Sequence, residues 1–308
     1  MNQHIRTIAI LGAGAVGSYL VMGLSDKYKE NLWVIADGER KDRLAKNGLN
    51  INDKVYSLHI KTPAEAHGVD LLFVCTKYTQ LRDSLSDIET ITGEHTMVVS
   101  LLNGVDSEEL IGQRIGMEHM IYSLIRIASH RIGNSIHFSL PKGYNGIYIG
   151  IPNQPACQDP RLAAIAEIFA DTPVTLHLSD DILLDMWDKF GLNVSRNLPQ
   201  AILGVGIGVY DDSIYADAIM RRMRHEVVLV ANAKGIPLTD EFKAAKWLPS
   251  QRYSTLQDLD AHRHTEIDMF SGALIRMGKE VGVECPYNEM TYNLIKALEE
   301  KNDGKFDY

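Results

Sequence analysis

Thr7-Ile8-Ala9-Ile10-Leu11-Gly12-Ala13-Gly14-Ala15-Val16-Gly17 decides how the rest of the chain is read. The first five residues are apolar or β-branched and too few for a helix, as suits a strand buried on both faces. The glycines fall at the spacing of a dinucleotide-binding turn: Gly12 for the tight bend, Gly14 for close approach of a pyrophosphate, Gly17 for packing of the next helix on the strand. A helix opening there offers unpaired N–H groups and the positive end of its dipole to an anion. A second apolar run, Leu32-Trp33-Val34-Ile35-Ala36, ends in Asp37, about twenty residues beyond the glycines, where an acid can bond a ribose hydroxyl. Gly12, Ala13, Gly14, Ala15, Val16, Gly17 and Asp37 are therefore expected to bind a nicotinamide or flavin dinucleotide. A glycine turn in some other α/β domain would explain neither the spacing nor the acid.

The 308 residues, 45% hydrophobic and 23% charged, are enough for two cores. A net charge of −9, with no lysine or arginine block, disfavours nucleic acid as a partner. Cys75, Cys157 and Cys285 are scattered and form no CxxC pair, which argues against disulfides or structural zinc and suits a reducing cytoplasm. Neither an apolar leader nor a run long enough to span a membrane is visible, and no repeat. His130, His137, His262 and His264 lack a partner at metal-ligand spacing, so no metal is expected.

Further along, a polar helix over 39–46 and short alternating stretches at 49–51 and 55–60 suggest a small edge hairpin. Buried strands are expected at 69–76, 96–102 and 120–127, with a helix through Leu81 and Leu85. Strands alternating with helices imply a parallel sheet with right-handed crossovers, and ligand groups at the carboxyl ends of its strands. Asp37, Thr76-Lys77 and Asn103 stand at such ends. From 134 to 151 the pattern turns to glycine-broken aromatic β segments, and 174–178 is the last expected strand. Helices are expected near 181–203, 213–234, 238–246, 255–281 and 287–301. The fold class is thus α/β, a Rossmann-type dinucleotide-binding domain over 1–179 followed by an all-helical domain over 180–308, with a cleft between them for a second substrate.

In the first of those helices Lys189, Asn193 and Asn197 recur every four residues and share a face if the helix is regular. A desolvated lysine can donate a proton to a carbonyl oxygen. A snorkelling lysine with two solvated asparagines fits the same pattern. Ser254 and Gln257 read as a capping box, although a serine at a helix start can also hold a carboxylate. Glu266 lies about three turns along the same expected helix, with Arg263 as an ordinary surface partner.

Taken together, the Gly12 to Gly17 turn, Thr76-Lys77, Asn103-Gly104, Trp187-x-Lys189 with Asn193 and Asn197, and Ser254 ahead of Arg263-His264-Thr265-Glu266-Ile267-Asp268 resemble the ketopantoate reductase (2-dehydropantoate 2-reductase) family. They span nearly the whole chain in the family's order. The resemblance implies that NADPH reduces a small-molecule 2-oxo acid, with Lys189 as general acid. Asn103, Asn193, Asn197 and Ser254 would hold substrate. Lys77, Asn103 and Ala128 would contact cofactor, and Glu266 would close over the nicotinamide ribose end. It turns Lys189 and Glu266 from surface residues into catalytic candidates.

Two positions depart from the family's pattern. Asp37 stands where an arginine usually meets the 2′-phosphate of NADP, and an acid there favours NAD. Arg40, Lys41 or Arg43 could instead supply phosphate contacts. Ile207 stands near a further substrate-binding asparagine, leaving room for an acid other than ketopantoate. An NAD-dependent 2-hydroxy acid dehydrogenase acting on a branched or aromatic acid, and a dinucleotide sensor without turnover, remain alternatives. The apolar stretch 227–231 fits core or the interface of a homodimer.

Overall fold

The computed structural model describes residues 4–139, 145–242, 248–306 and 308. Two compact units divide the chain, residues 1–183 and 184–308. In order, the first carries β1 (Ile8–Leu11), α1 (Ala15–Tyr28), β2 (Leu32–Ile35), α2 (Gly38–Asn47), β3 (Leu49–Ile51), β4 (Lys54–Tyr56), β5 (His59–Lys61), β6 (Leu71–Val74), α3 (Tyr78–Ile91), β7 (Met97–Ser100), α4 (Ser107–Ile115), β8 (Met120–Arg126), β9 (Ala128–Ile132), β10 (Ser135–Ser139), β11 (Gly146–Gly150), α5 (Pro160–Phe169) and β12 (Leu176–Leu178).

Side-chain alternation assigns β1 to the middle of a two-faced sheet. Ile8 and Ile10 enter one core with Tyr19 and Leu20, whereas Ala9 and Leu11 enter another with Leu81 and Ile88. The sheet runs β12-β11-β8-β7-β6-β1-β2-β5. Its segment from β5 to β8 is parallel, and β11 pairs antiparallel to β8. β1 pairs with β2 on one side and β6 on the other, so the chain reverses its direction of winding there, the place where open α/β sheets bind ligands. The expected edge hairpin divides. β3 and β4 form a hairpin within a separate sheet of order β4-β3-β10-β9, while β5 leaves it to pair parallel with β2.

The second unit is helical: α6 (Ile182–Leu192), a π-helical stretch Asn193–Asn197, α7 (Leu198–Leu203), α8 (Val209–Asp212), α9 (Ile214–Ala233), α10 (Ser254–Asp260), α11 (Ser271–Val281) and α12 (Pro286–Asn302). Two expectations fail here. The helix expected over 255–281 stops at Asp260, because His262 takes a left-handed φ of 51° and Thr265 gives its N–H and hydroxyl to Glu299 on α12. Residues 238–242 are not helical, and the Thr239 carbonyl accepts from the Arg224 guanidinium instead; the remaining 243–246 lie outside the described residues. The 227–231 stretch is core, with Val227, Val228, Val230 and Ala231 buried and Leu229 exposed. Ile207 is also core, packed with Tyr210, Ala216 and Met220, so its side chain serves packing. Among the described residues no helix is long and apolar enough to cross a membrane.

Candidate active site

In the first unit the three glycines do different work. Gly12 has a φ of +108°, and a Cβ there would lie 2.6 Å from the Cys75 carbonyl carbon. A Cβ on Gly17 would lie 2.0 Å from the Gly12 oxygen. Both glycines let backbone meet backbone at the end of β1. Gly14 differs: nothing lies within 4 Å of the place its Cβ would take. It is the N-cap of α1, whose first turn carries no acidic residue, and its carbonyl accepts the first helical bond from Ser18. The N–H groups ahead of that bond have no partner within the helix and suit a pyrophosphate.

Beside this turn, a cavity of about 250 Å³ is lined by Leu11, Ile35, Ala36, Asp37, Arg40 and Thr76, among others. Asp37 stands at the N-cap of α2 but its side chain makes no capping bond. The buried Thr76 Oγ1 has no hydrogen-bond partner among the described residues. Open space at Gly14, unused helix N–H groups and a lone hydroxyl are what a dinucleotide would satisfy, so the residues present fit one. Of the three cations considered as phosphate contacts, Arg40 lines this cavity, while the Lys41 amine donates to Glu65 at 3.2 Å.

Lys77, Asn103 and Ala128 follow β6, β7 and β8, at the same carboxyl edge of the parallel strands. Lys77 is the exposed N-cap of α3, Asn103 is half-buried beside Gly104 at φ +96°, and Ala128 is exposed. Beneath the Asn103 turn lies a polar chain that sequence reading missed. The Ser100 and Ser107 hydroxyls are 2.8 Å apart, and Ser107 donates to Glu108 at 2.9 Å. Glu108 is 1% exposed, and burial pushes its carboxyl up to about 8, so it keeps its proton at neutral pH. From sequence it reads as an acid in the first turn of a helix, favoured by the dipole.

In the second unit the regular-helix condition fails. The π-helical Asn193–Asn197 stretch interrupts the four-residue repeat, so Lys189, Asn193 and Asn197 do not share a face by simple spacing. Lys189 and Asn193 are half-buried; Asn197 is 2% exposed. Asn197 accepts from the Thr255 N–H at 3.2 Å and donates to Ser254 Oγ at 3.3 Å. The capping box is therefore absent. Ser254 is the first helical residue, Tyr253 is the N-cap, and Gln257 donates to the Arg252 carbonyl. A carboxamide from another helix caps α10, which leaves the exposed Ser254 hydroxyl accepting from Asn197 and its own proton directed elsewhere.

Arg224, also missed by sequence reading, holds the segment that carries Lys189. It is 1% exposed and donates to the Asp188 carbonyl and to Asp188 Oδ1, both at 3.2 Å, and to the Thr239 carbonyl at 2.9 Å. A Cβ on Gly191 would lie 2.1 Å from its Nη1, so glycine makes room for the guanidinium. Burial lowers the Arg224 pKa, opposed by the Asp188 charge. In sequence it is one of several arginines on α9, and only the fold distinguishes it.

Glu266 is half-buried in the turn between α10 and α11, not on a helix three turns from Ser254. Its neighbours are pinned. Thr265 donates twice to Glu299 at 2.7 Å, and Asp268 accepts from Tyr292 at 2.7 Å and Lys296 at 2.9 Å. Arg263 pairs with Asp258 at 2.8 Å, which removes it as the ordinary partner for Glu266. Among the described residues no three His, Cys, Asp or Glu residues gather as metal ligands.

Residues 8–154 match the family model described as ketopantoate reductase PanE/ApbA, and residues 181–299 match that of its C-terminal domain. The chain belongs to the ketopantoate reductase family. Among relatives in this family, the 2-dehydropantoate 2-reductase of Streptococcus pyogenes is 27% identical over 308 residues, covering 95% of this chain and 97% of its own. That of Pyrococcus horikoshii is 28% identical over 314 residues, covering 96% and 99%. Among solved structures, D-mandelate dehydrogenase with NADH and anilino(oxo)acetate superposes with a TM-score of 0.82 at 26% identity, covering 96% and 99%. In this family member the glycine turn falls within residues 8–154, and the Lys189 helix and the Glu266 turn fall within residues 181–299.

Proposed function

We propose that this member of the ketopantoate reductase family reduces a 2-oxo acid to the 2-hydroxy acid, with 2-dehydropantoate the first substrate to try. The observation that carries the reading is the turn at Gly14, open where a pyrophosphate would lie, on a chain that matches the reductase models over both units. When bound, a reduced nicotinamide would supply the hydride for the carbonyl carbon. Lys189 donates the proton to the carbonyl oxygen, and its ammonium stabilises charge that develops there more in the transition state than in the ground state. Ser254 donates its hydroxyl proton to the substrate carboxylate, with Asn197 holding the hydroxyl in place. Asn193 and Asn103 complete the polar contacts to substrate. Lys77, Asn103 and Ala128 contact the cofactor, Glu266 binds the ribose next to the nicotinamide, and Asp37 favours NADH.

A second reading, an NADH-dependent dehydrogenase for an aromatic 2-oxo acid, is favoured by the likeness to D-mandelate dehydrogenase, whose ternary structure holds NADH and anilino(oxo)acetate. A panel of 2-oxo acids with NADH and with NADPH, followed by absorbance of the reduced nicotinamide, tests both. Turnover fastest with ketopantoate supports the first, and fastest with an aromatic acid the second. Cofactor binding without turnover of any acid would make the protein a sensor and end both. We also propose a homodimer in the cytoplasm, for which the exposed Ile214 and Tyr215 on α9 and Met290 on α12 offer apolar contact area. Sedimentation at one protomer mass would contradict the dimer.

A further inference from the structure

The cavity beside the glycine turn is acidic on two sides. Asp37 reaches it from the turn after β2, and Asp83 and Asp87 reach it from α3. The α3 pair is spaced by four residues, so both carboxylates lie on one face of the helix. Among the described lining residues Arg40 is the cation set against these three acids. Lys41, next in sequence, is turned to Glu65. Burial, and then the charge of Asp37, holds the Asp87 carboxyl above its ordinary range, which places the two acids within each other's field.

We infer that Asp83 and Asp87, together with Asp37, select NADH over NADPH by surrounding the adenosine ribose with negative charge. This rests on the reading that the cavity takes the adenosine half of the dinucleotide. A free 2′-hydroxyl donates to Asp37 and carries no charge. A 2′-phosphate brings nearly two negative charges and three acceptor oxygens, and among the described lining residues of the cavity it meets three acids and one guanidinium. An acid at the end of the second strand is the usual basis of such a preference, so Asp37 alone would give some of it. The α3 acids act differently: they make no bond to the ribose and work at a distance through their charge. Their effect must therefore fade with salt, whereas a bond or a clash would not.

Dissociation constants for NADH and NADPH, measured by titration calorimetry at low and high salt, test this without turnover. The native chain is expected to bind NADH about a hundredfold more tightly at low salt, with the ratio narrowing severalfold at ionic strengths near 1 M, where the Debye length is about 3 Å. Asp83→Asn with Asp87→Asn keeps shape and removes charge. It should tighten NADPH about tenfold, leave NADH within about twofold, and flatten the salt dependence of the ratio. Adding Asp37→Ser should bring the two cofactors close to parity. A ratio unchanged in the α3 double variant, or one insensitive to salt in the native chain, overturns the inference and leaves the cofactor site standing. Failure of the native chain to bind either dinucleotide overturns both. Asp83 is exposed and Asp87 half-buried, so isosteric asparagines should fold, as far-ultraviolet circular dichroism would check.

Discussion

The glycine turn and the lysine helix each fix the position of a functional group, by opposite means. At the turn, side chains are removed: Gly12 and Gly17 let backbone touch backbone, and Gly14 leaves space for a ligand. On the helix, side chains are added. Arg224 fills the room left by Gly191 and ties down Asp188, and Asn197 caps a helix distant in sequence. A site made of missing atoms has a short, local signature. A site made of buried polar pairs has its partners far apart in sequence, 36 residues for Asp188 and Arg224 and 58 for Asn197 and Thr255.

Four substitutions set these two modes against each other. Gly17→Ala places a methyl against the Gly12 carbonyl and should cost about a hundredfold or more in NADH affinity, with visible destabilisation. Native-like affinity would mean that the turn relaxes freely. Arg224→Met removes one member of a buried ion pair and should cost about 3–5 kcal/mol in denaturant unfolding. Adding Asp188→Asn should restore part of that, since the uncompensated carboxylate disappears; no recovery would mean that packing, not charge, sets the cost. Gly14→Ala meets no protein atom, so the thermal midpoint should hold while NADH binds about tenfold more weakly, separating binding from folding at a single turn.

Glu108→Gln is read through its dependence on pH. The folded carboxyl, pushed up to about 8, keeps a proton that the unfolded chain loses near its ordinary value of about 4.3. The native chain should therefore lose stability as pH rises from about 4.5 to 8, and the glutamine variant should not. Thermal midpoints that move in parallel across that window would contradict a buried neutral acid.

What the sequence revealed follows the same division. The strand, the three glycines and Asp37 are contiguous or regularly spaced, so β1, α1 and the end of β2 were legible from Thr7 to Asp37. Most helices of the second unit were legible from punctuation. The exceptions were the places where tertiary bonds override local pattern. Glu299 draws Thr265 away from a helical path, and Arg224 takes the Thr239 carbonyl. The π-helical stretch was hidden because its four-residue spacing fits a regular α-helix equally well. Arg224 and Glu108 were hidden because a buried ionisable residue and an exposed one are the same letter.

Lys189→Ala tests the central claim most directly, read as turnover of the preferred 2-oxo acid alongside calorimetric affinity for NADH. If Lys189 protonates the carbonyl oxygen, kcat falls by about a hundredfold or more while NADH affinity stays within about twofold. An unchanged kcat would take Lys189 out of the chemistry.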